Sequence, residues 1–391
     1  MSFIKDFIDK IKSNPIAKRA SMVLGIFFLV VIIIILIASC SNHRGRVYKY
    51  EELEAKMVEL AKKRYSSEKN KANLPKNDKE MLEVSLQSFV EDGTFKDIQS
   101  IVQNNSICTG NVKIINNNGY YLYIPYLDCG TDYKSKTIYE TLTNDDNIIT
   151  SGNGLYSLDN NEYIYKGDTV NNYLYLNGIT YRIIKINEDG SIRVLDTTKR
   201  NTNSKWDDRY NIDRNSSVGI NDFVNNNVNS RLKDSLENLY NNDSIFNNGM
   251  RSYFVNMPLC TGKRSVNDDV LDSSIECLNQ SVSHPFGLIY ASEFYKASLD
   301  NNCSTNQLVS CANYNYLTSI KTTWTLTADK DTTYKAYKLS GEISLSNASN
   351  LLNFQVVTTL NSDLLVESGD GSIDSPYVIK SYETPINVKK R

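Results

Sequence analysis

The sequence predicts an α+β protein held at a membrane by an N-terminal apolar helix. Three observations lead there. Residues 22–40 contain no charge. Beyond them, short strand-like runs are split by Asn-Gly and Asp-Gly pairs, the strongest short hairpin signals. A few intervening segments space their apolar residues like one face of a helix. The expected architecture is a transmembrane helix, a small membrane-proximal unit of helix plus hairpin, and a larger β-rich outer domain.

The chain has 391 residues, enough for two or three units. Its 43 basic and 45 acidic residues leave a formal net charge of −2. That argues against a nucleic-acid binder, which needs a broad basic face. Tyr (26) outnumbers Phe (12), and Asn is abundant, a composition suited to short strands and polar loops.

In residues 1–21, Phe3, Ile4, Phe7, Ile8 and Ile11 recur at helical spacing among lysines. This reads as a cytoplasmic amphipathic segment on the inner membrane face, ending near Asn14 and Pro15. A disordered basic tail is the plainer alternative. Residues 22–40 would make a helix about 28 Å long, close to the hydrocarbon thickness of a bilayer. Lys5, Lys10, Lys12, Lys18 and Arg19 precede it, while Arg44, Arg46 and Lys49 follow. This bias puts the N-terminus in the cytoplasm. The expected location is the cell membrane, single-pass, with membrane lipid around residues 22–40 and residues 41–391 extracellular.

Cys40 admits a second reading. The stretch IASC ending there fits the lipobox of bacterial lipoproteins, with Cys40 carrying the lipid. Asp6 and Asp9 in the leading segment, and an apolar run longer than a signal h-region, favour an uncleaved span. The lipoprotein reading would account for the odd cysteine.

Residues 45–135 read as the membrane-proximal unit. In YEELEAKMVELAKKRY, Leu53, Met57, Leu60, Ala61 and Tyr65 form a helical stripe. EMLEVSLQSFVEDG predicts a second short helix, stopped at Gly93. Residues 112–115 and 120–124 flank an Asn-Gly turn and predict a hairpin, with Cys108 and Cys129 just outside it. A loop of this length, once closed, gains about 3 kcal/mol in the loop-entropy model.

Residues 136–149 are expected to be a linker and residues 150–382 an extracellular α+β domain. YLYLNGITYRIIKINEDGSIRVLDTT reads as a β-meander split at Asn177-Gly178 and Asp189-Gly190. Val224, Val228, Leu232, Leu236 and Leu239 predict one face of a helix. Ser292 is expected to cap a short helix that follows a strand. The Gly-Asp-Gly at 369–371 reads as a turn before a last strand at 377–379, and residues 383–391 form a basic tail.

Seven cysteines stand at 40, 108, 129, 260, 277, 303 and 311. The last six form three sequence-local couples, expected as disulfides in an oxidising compartment. Pairing neighbours, as Cys108–Cys129, Cys260–Cys277 and Cys303–Cys311, closes the shortest loops at the least entropic cost. There is no C-x-x-C, and the only histidines are His43 and His284, which argues against zinc. No cofactor or metal is expected.

No catalytic group is expected either. Ser230 and Lys233 match an S-x-x-K, but helical spacing from Val228 sets Ser230 on the solvated face, and no K-T-G follows. His284 stands before Pro285 at the start of a strand, without an obvious nucleophile. Asp370 and Asp374 flank a turn, too sparse a set for a calcium loop. Trp206 and Trp324 are the only tryptophans, and Trp324 reads as core. The expected contact surface lies at 300–318, where a Cys303–Cys311 loop would precede Tyr314 and Tyr316.

Cys108, Gly110, Tyr123, Tyr126, Leu127 and Cys129 give a pattern that resembles pilin-like proteins of low-GC Gram-positive bacteria. The chain lacks the G-F-T-L-I-E processing site before its apolar run. Residues 182–184, 189–193 and 287–289, Glu293, Trp324-Thr325 and 369–379 resemble, in order and spacing, an uncharacterised extracellular domain of Firmicutes. Tyr181 replaces its usual Trp, and FQVVTTL replaces its V-R-P-V-I-x-L. That resemblance implies a layout distantly similar to the C-type-lectin-like fold.

The functional expectation is a membrane-anchored bacterial cell-surface protein, a non-catalytic binding or adhesion module. Its partners would be a cell-wall glycan or a host surface protein, and not nucleic acid. The alternatives are a structural subunit of a pilus-like or secretion assembly, or a lipoprotein anchored through Cys40.

Overall fold

The computed structural model describes residues 46–382, apart from 199, 201, 212, 213, 216 and 247. The amphipathic segment 1–21, the apolar run 22–40 with Cys40, His43 and the tail 383–391 lie outside the described residues. No described helix is long and apolar enough to cross a membrane. The described chain is α+β, with several sheets and few helices.

Helix α1 (Tyr50–Ser66) buries Leu53, Met57 and Ala61 of the expected stripe, together with Tyr50, Val58 and Glu54. Glu51 and Glu52 open it, and Lys63 and Arg64 close it, which suits the helix dipole. The next expected helix is corrected. Met81–Ser85 is strand β1, and only one helical turn, Ser88–Glu91, follows before Gly93 at φ 76°. Leu82, Val84 and Leu86 alternate with Glu83 and Ser85. This period-2 pattern buries Val84 and Leu86 once a partner strand is present.

That partner is β2 (Thr109–Asn117), which pairs on its other side with β3 (Tyr120–Asp128) in the order β1-β2-β3. Asn118 and Gly119 turn the hairpin with φ of 54° and 85°, as an Asn-Gly turn requires. The Cys108–Cys129 disulfide closes its open end. Alternation gives the hairpin two apolar faces. Val112, Ile114 and Leu127 pack in the small core with α1, while Ile115, Leu122 and Ile124 join the large core. The stretch 136–149, read as a linker, carries α2 (Ile138–Leu142). Thr137 and Glu140 cap it reciprocally, and Ile138 and Leu142 are fully buried in the large core.

The larger part begins with β4 (Gly154–Ser157), β5 (Tyr163–Lys166), β6 (Tyr173–Leu176), β7 (Ile179–Ile186) and β8 (Ile192–Asp196). The Asn-Gly turn joins β6 to β7, and Gly190 turns β7 into β8 at φ 78°. Helix α3 (Arg231–Asn242) is shorter than its expected apolar face. Val224 and Val228 belong instead to a small hairpin turned by Asn226 and Asn227, both at positive φ. Two consecutive asparagines that tolerate left-handed backbone outweighed the helical spacing. The helix therefore starts after Ser230 and buries Leu232, Leu236 and Tyr240.

Strands β9 (Met257–Cys260), β10 (Gln280–His284) and β11 (Phe286–Gly287) lead to α4 (Ala291–Lys296). Tyr290, not Ser292, is the N-cap of α4, and the Glu293 carboxylate reaches back to the Tyr290 N–H at 2.9 Å. Strands β12 (Thr323–Asp329), β13 (Lys335–Leu339), β14 (Ile343–Asn347), β15 (Val357–Leu360), β16 (Val366–Ser368) and β17 (Tyr377–Ile379) complete the chain.

Two sheets result. The larger has nine strands in the order β11-β15-β8-β7-β6-β17-β16, with β5 on β7 and β4 on β5. The other has six and centres on β14-β13-β12. Trp206 and Trp324 meet edge to face at 6.0 Å, both fully buried, and the Trp324 indole N–H donates to the Ser204 carbonyl at 2.9 Å.

Candidate functional site

Strands β7 and β8 pair antiparallel and carry Lys185 and Arg193 to one end of the larger sheet. There a cleft of about 620 Å³ opens, walled by Met257, Pro258 and the Cys260–Cys277 disulfide. The disulfide ties the end of β9 to the short helical turn Glu276–Leu278 and so fixes that wall.

Two buried ion pairs underlie the cleft: Arg193, Glu293 and Glu276 are in its lining, and Arg264 holds Glu276 from outside it. The Arg193 guanidinium donates through Nε to one Glu293 oxygen and through Nη2 to the other at 3.3 Å. Nη2 also reaches the Leu288 carbonyl at 2.8 Å, and the cation lies 4.8 Å above the Tyr290 ring. Burial works against the Arg193 charge, but the Glu293 carboxylate and the Tyr290 phenol together outweigh it and hold the pKa above its ordinary value. Arg264 grips Glu276 with two bonds, at 3.0 and 2.9 Å, and both side chains are 1% exposed. Arg264 Nη1 also donates to the Asp269 carbonyl at 2.7 Å, and Nη2 to the Asp272 carbonyl. Glu276 also accepts the Ser292 N–H at 3.2 Å. This floor is fully committed: each charge faces its opposite in a bidentate or branched arrangement.

Tyr290 lines the cleft beside Arg193. Its hydroxyl accepts the Cys260 N–H at 3.0 Å, and burial pushes its pKa up to about 12. It is therefore a neutral phenol near neutral pH. The rim is wetter. Lys185 pairs with Glu162 at 3.0 Å, while Ser273, Ser274 and Gln280 offer hydroxyl and amide groups. What the arrangement offers is a rigid, internally neutralised floor below a polar rim.

The residues singled out from sequence lie elsewhere. Ser230 is not on a solvated face. It caps α3, is 1% exposed, and its Oγ accepts the Lys233 N–H at 3.1 Å. The Lys233 ammonium goes to Glu237 and Asn229, both at 2.7 Å. His284 ends strand β10 rather than starting one. Its Nδ1 is tied to the Phe286 backbone, and its ring packs edge-on to Tyr240 and Phe286. Burial holds the His284 pKa below its ordinary value. Asp370 accepts the Ser372 N–H within its turn at 3.0 Å. Among the described residues, no group of three His, Cys, Asp or Glu side chains could hold a metal ion.

The three expected couplings are the three disulfides of the structure, Cys108–Cys129, Cys260–Cys277 and Cys303–Cys311. The expected contact surface is corrected at one residue. Tyr314 is 61% exposed, but Tyr316 is buried at 2%, with its ring stacked on the Arg182 guanidinium at 4.6 Å. Tyr316 cannot present its face to a partner. Neither tyrosine lines the cleft.

The Arg193–Glu293 pair escaped the sequence reading, although both residues lie in the stretches compared above. A buried Arg flanked by Ile192, Val194 and Leu195 was the available signal, since such an Arg must find a carboxylate. Its partner lies 100 positions away, beyond local spacing rules.

Comparison with protein-family models, curated proteins and solved structures finds no match to this chain.

Proposed function

We propose that this chain is a membrane-anchored bacterial cell-surface protein whose outer part binds a ligand without transforming it. The cleft beside β7 and β8 is the binding site in this reading. The carrying observation is its floor, where Arg193–Glu293 and Arg264–Glu276 satisfy one another and leave the rim to meet a ligand. A site of this kind is preorganised and loses little entropy on binding. Ser230 and His284, the side chains that most resembled catalytic groups in sequence, are occupied in structural bonds outside it.

The anchor in this proposal is the apolar run 22–40, with lipid as its partner, and flanking charge and three disulfides support an extracellular side. The resemblance to an uncharacterised extracellular domain, distantly C-type-lectin-like, supports a binding role by analogy of fold alone. Cell-wall glycans and host surface proteins are the proposed partners.

The test is to screen the full chain, in a non-ionic detergent, against cell-wall glycans, mucins and matrix proteins. Retention of a ligand that is recovered chemically unchanged supports the proposal. Turnover of a peptidoglycan or protein substrate, abolished by Glu293→Gln, overturns it. Assembly of the pure chain into filaments would favour the pilus-like subunit instead.

A further inference from the structure

Asn221 is fully buried, and its side chain plugs the turn that joins β12 to β13. Its Nδ2 lies 2.8 Å from the Asp329 carbonyl, 2.8 Å from that of Thr332 and 2.6 Å from that of Lys335. Its backbone N–H donates to the Thr333 carbonyl at 2.8 Å. The short strand Lys263–Arg264 runs parallel to the end of β12, with Lys263 opposite Ala328. There the Lys263 ammonium donates to Asn221 Oδ1 at 2.7 Å and meets the Asp222 carboxylate, also at 2.7 Å. These partners fix the orientation of the Asn221 amide. Turned over, its oxygen would face three carbonyls and its NH2 an ammonium.

An amine, a carboxamide and a carboxylate in mutual contact are the parts of a transamidation. Three features of the contact serve that reaction. Nζ is held against the carboxamide, so an encounter in solution is replaced by an intramolecular step. Asp222 sits on the ammonium and can take the proton that blocks the amine lone pair. An amide nitrogen carries two N–H groups, yet three carbonyls surround Nδ2. Ammonium, with four N–H groups, serves all three, so the cage suits the leaving group better than the amide it starts from. Burial of Asn221 also keeps water from competing for the carboxamide.

We propose that Lys263 and Asn221 join through an amide bond, with Asp222 as the proton carrier. Asp222 takes a proton from the ammonium, and the neutral Nζ attacks Asn221 Cγ. The Nζ–Cγ bond forms and the Cγ–Nδ2 bond breaks. Two protons of the Lys263 ammonium pass by way of Asp222 to Nδ2, which leaves as ammonium. Asp222 ends as a carboxylate, and nothing is oxidised or reduced. The product is a cross-link between positions 42 apart, which fastens the segment ahead of the Asn226-Asn227 turn to the strand beside β12. Unlike the three disulfides, it withstands thiol reductants. The proposal does not depend on the cleft or its ligand.

The experiment is peptide mapping by mass spectrometry of the full chain, purified in a non-ionic detergent and then reduced. The expected result is one branched peptide that contains both Asn221 and Lys263 and is lighter than their separate peptides by one ammonia. The reduced wild type should also run ahead of the uncross-linked variants on a denaturing gel, because its closed loop makes it more compact. Lys263→Arg keeps a cation beside Asp222 but offers no amine, so the branched peptide should vanish. Asp222→Asn leaves both reacting groups in place and should slow the joining about a hundredfold or more in freshly synthesised chain. Intact disulfides before reduction show that each variant has folded. Separate Asn221 and Lys263 peptides of full mass in the wild type overturn the proposal, and the contact is then a hydrogen bond alone. Loss of ammonia at Asn221 that persists in Lys263→Arg also overturns it, since that marks an asparagine cyclising on its own backbone. Joining at an unchanged rate in Asp222→Asn overturns the role given to Asp222.

Discussion

Glu54 in α1 and Lys380 just beyond β17 stand 326 residues apart, and their charges meet at 2.7 Å. The Glu54 side chain is wholly buried. It also accepts hydroxyl protons from Ser135 at 2.5 Å, Tyr133 at 2.7 Å and Tyr382 at 3.0 Å. Burial, and after it the Glu54 charge, push the Tyr133 phenol well up. The last described residues thus tie the segment after β17 to helix α1.

Glu54→Ala should cost about 3–5 kcal/mol, since it leaves a half-enclosed ammonium and three hydroxyls without their acceptor. Lys380→Met should cost less, because Glu54 keeps its three hydroxyl donors. Denaturant unfolding of both variants measures the difference. Equal costs would show that the hydroxyls contribute nothing.

The floor pair behaves in the same way. Arg193→Met and Glu293→Leu should each destabilise strongly, whereas the double variant should lie closer to wild type than either single. A double-mutant cycle by thermal unfolding reads this directly. Simple additivity of the two losses would contradict the pairing.

Tyr181 carries a buried hydroxyl that has no hydrogen-bond partner among the described residues. Burial raises its pKa well above the ordinary value, with the Asp196 charge adding to the shift. Removing an unsatisfied buried hydroxyl relieves a desolvation penalty, so Tyr181→Phe should be neutral or stabilising by about 1 kcal/mol. A clear loss of stability would mean that the hydroxyl has a partner.

His284 sets a pH dependence. Its folded pKa is lowered by burial, so the folded state holds the neutral ring. Above the unfolded value of about 6.5 both states are neutral and this contribution to stability is complete. As pH falls below that value the unfolded state takes up a proton that the folded state resists, and stability declines until the lowered folded pKa is passed. Midpoints of urea unfolding between pH 8 and pH 5 should fall, and His284→Gln should flatten this part of the curve. An unchanged curve in the variant would assign the dependence to other groups.

Much of the fold was legible where one local signal acted alone. The Asn118-Gly119 and Asn177-Gly178 turns fix the register of two hairpins, and the stripe of α1 and the three disulfide couples are equally local. The reading failed where two periods competed. EMLEVSLQ carries both, and the free edge of β2, which is not a local property, selected the strand. Val224 and Val228 fit a helix until the turn preference of Asn226 and Asn227 intervened. The site was less legible still. Arg193, Glu293, Arg264 and Glu276 meet only because β8, α4 and the disulfide-closed loop converge, and no spacing along the chain encodes that. Tyr316 was misplaced because a tyrosine after a polar loop looks exposed until the stacked Arg182 is seen.

The central claim is that ligand enters the cleft above the Arg193–Glu293 floor. Methyl NMR of the full chain labelled at methionine tests it most directly, by titration with a ligand retained in the surface screen. Met257 lines the cleft, whereas Met57 and Met250 are buried in the two cores. The account predicts a saturable shift of the Met257 methyl, with Met57 and Met250 unmoved. A ligand that binds saturably and leaves Met257 unchanged would contradict it.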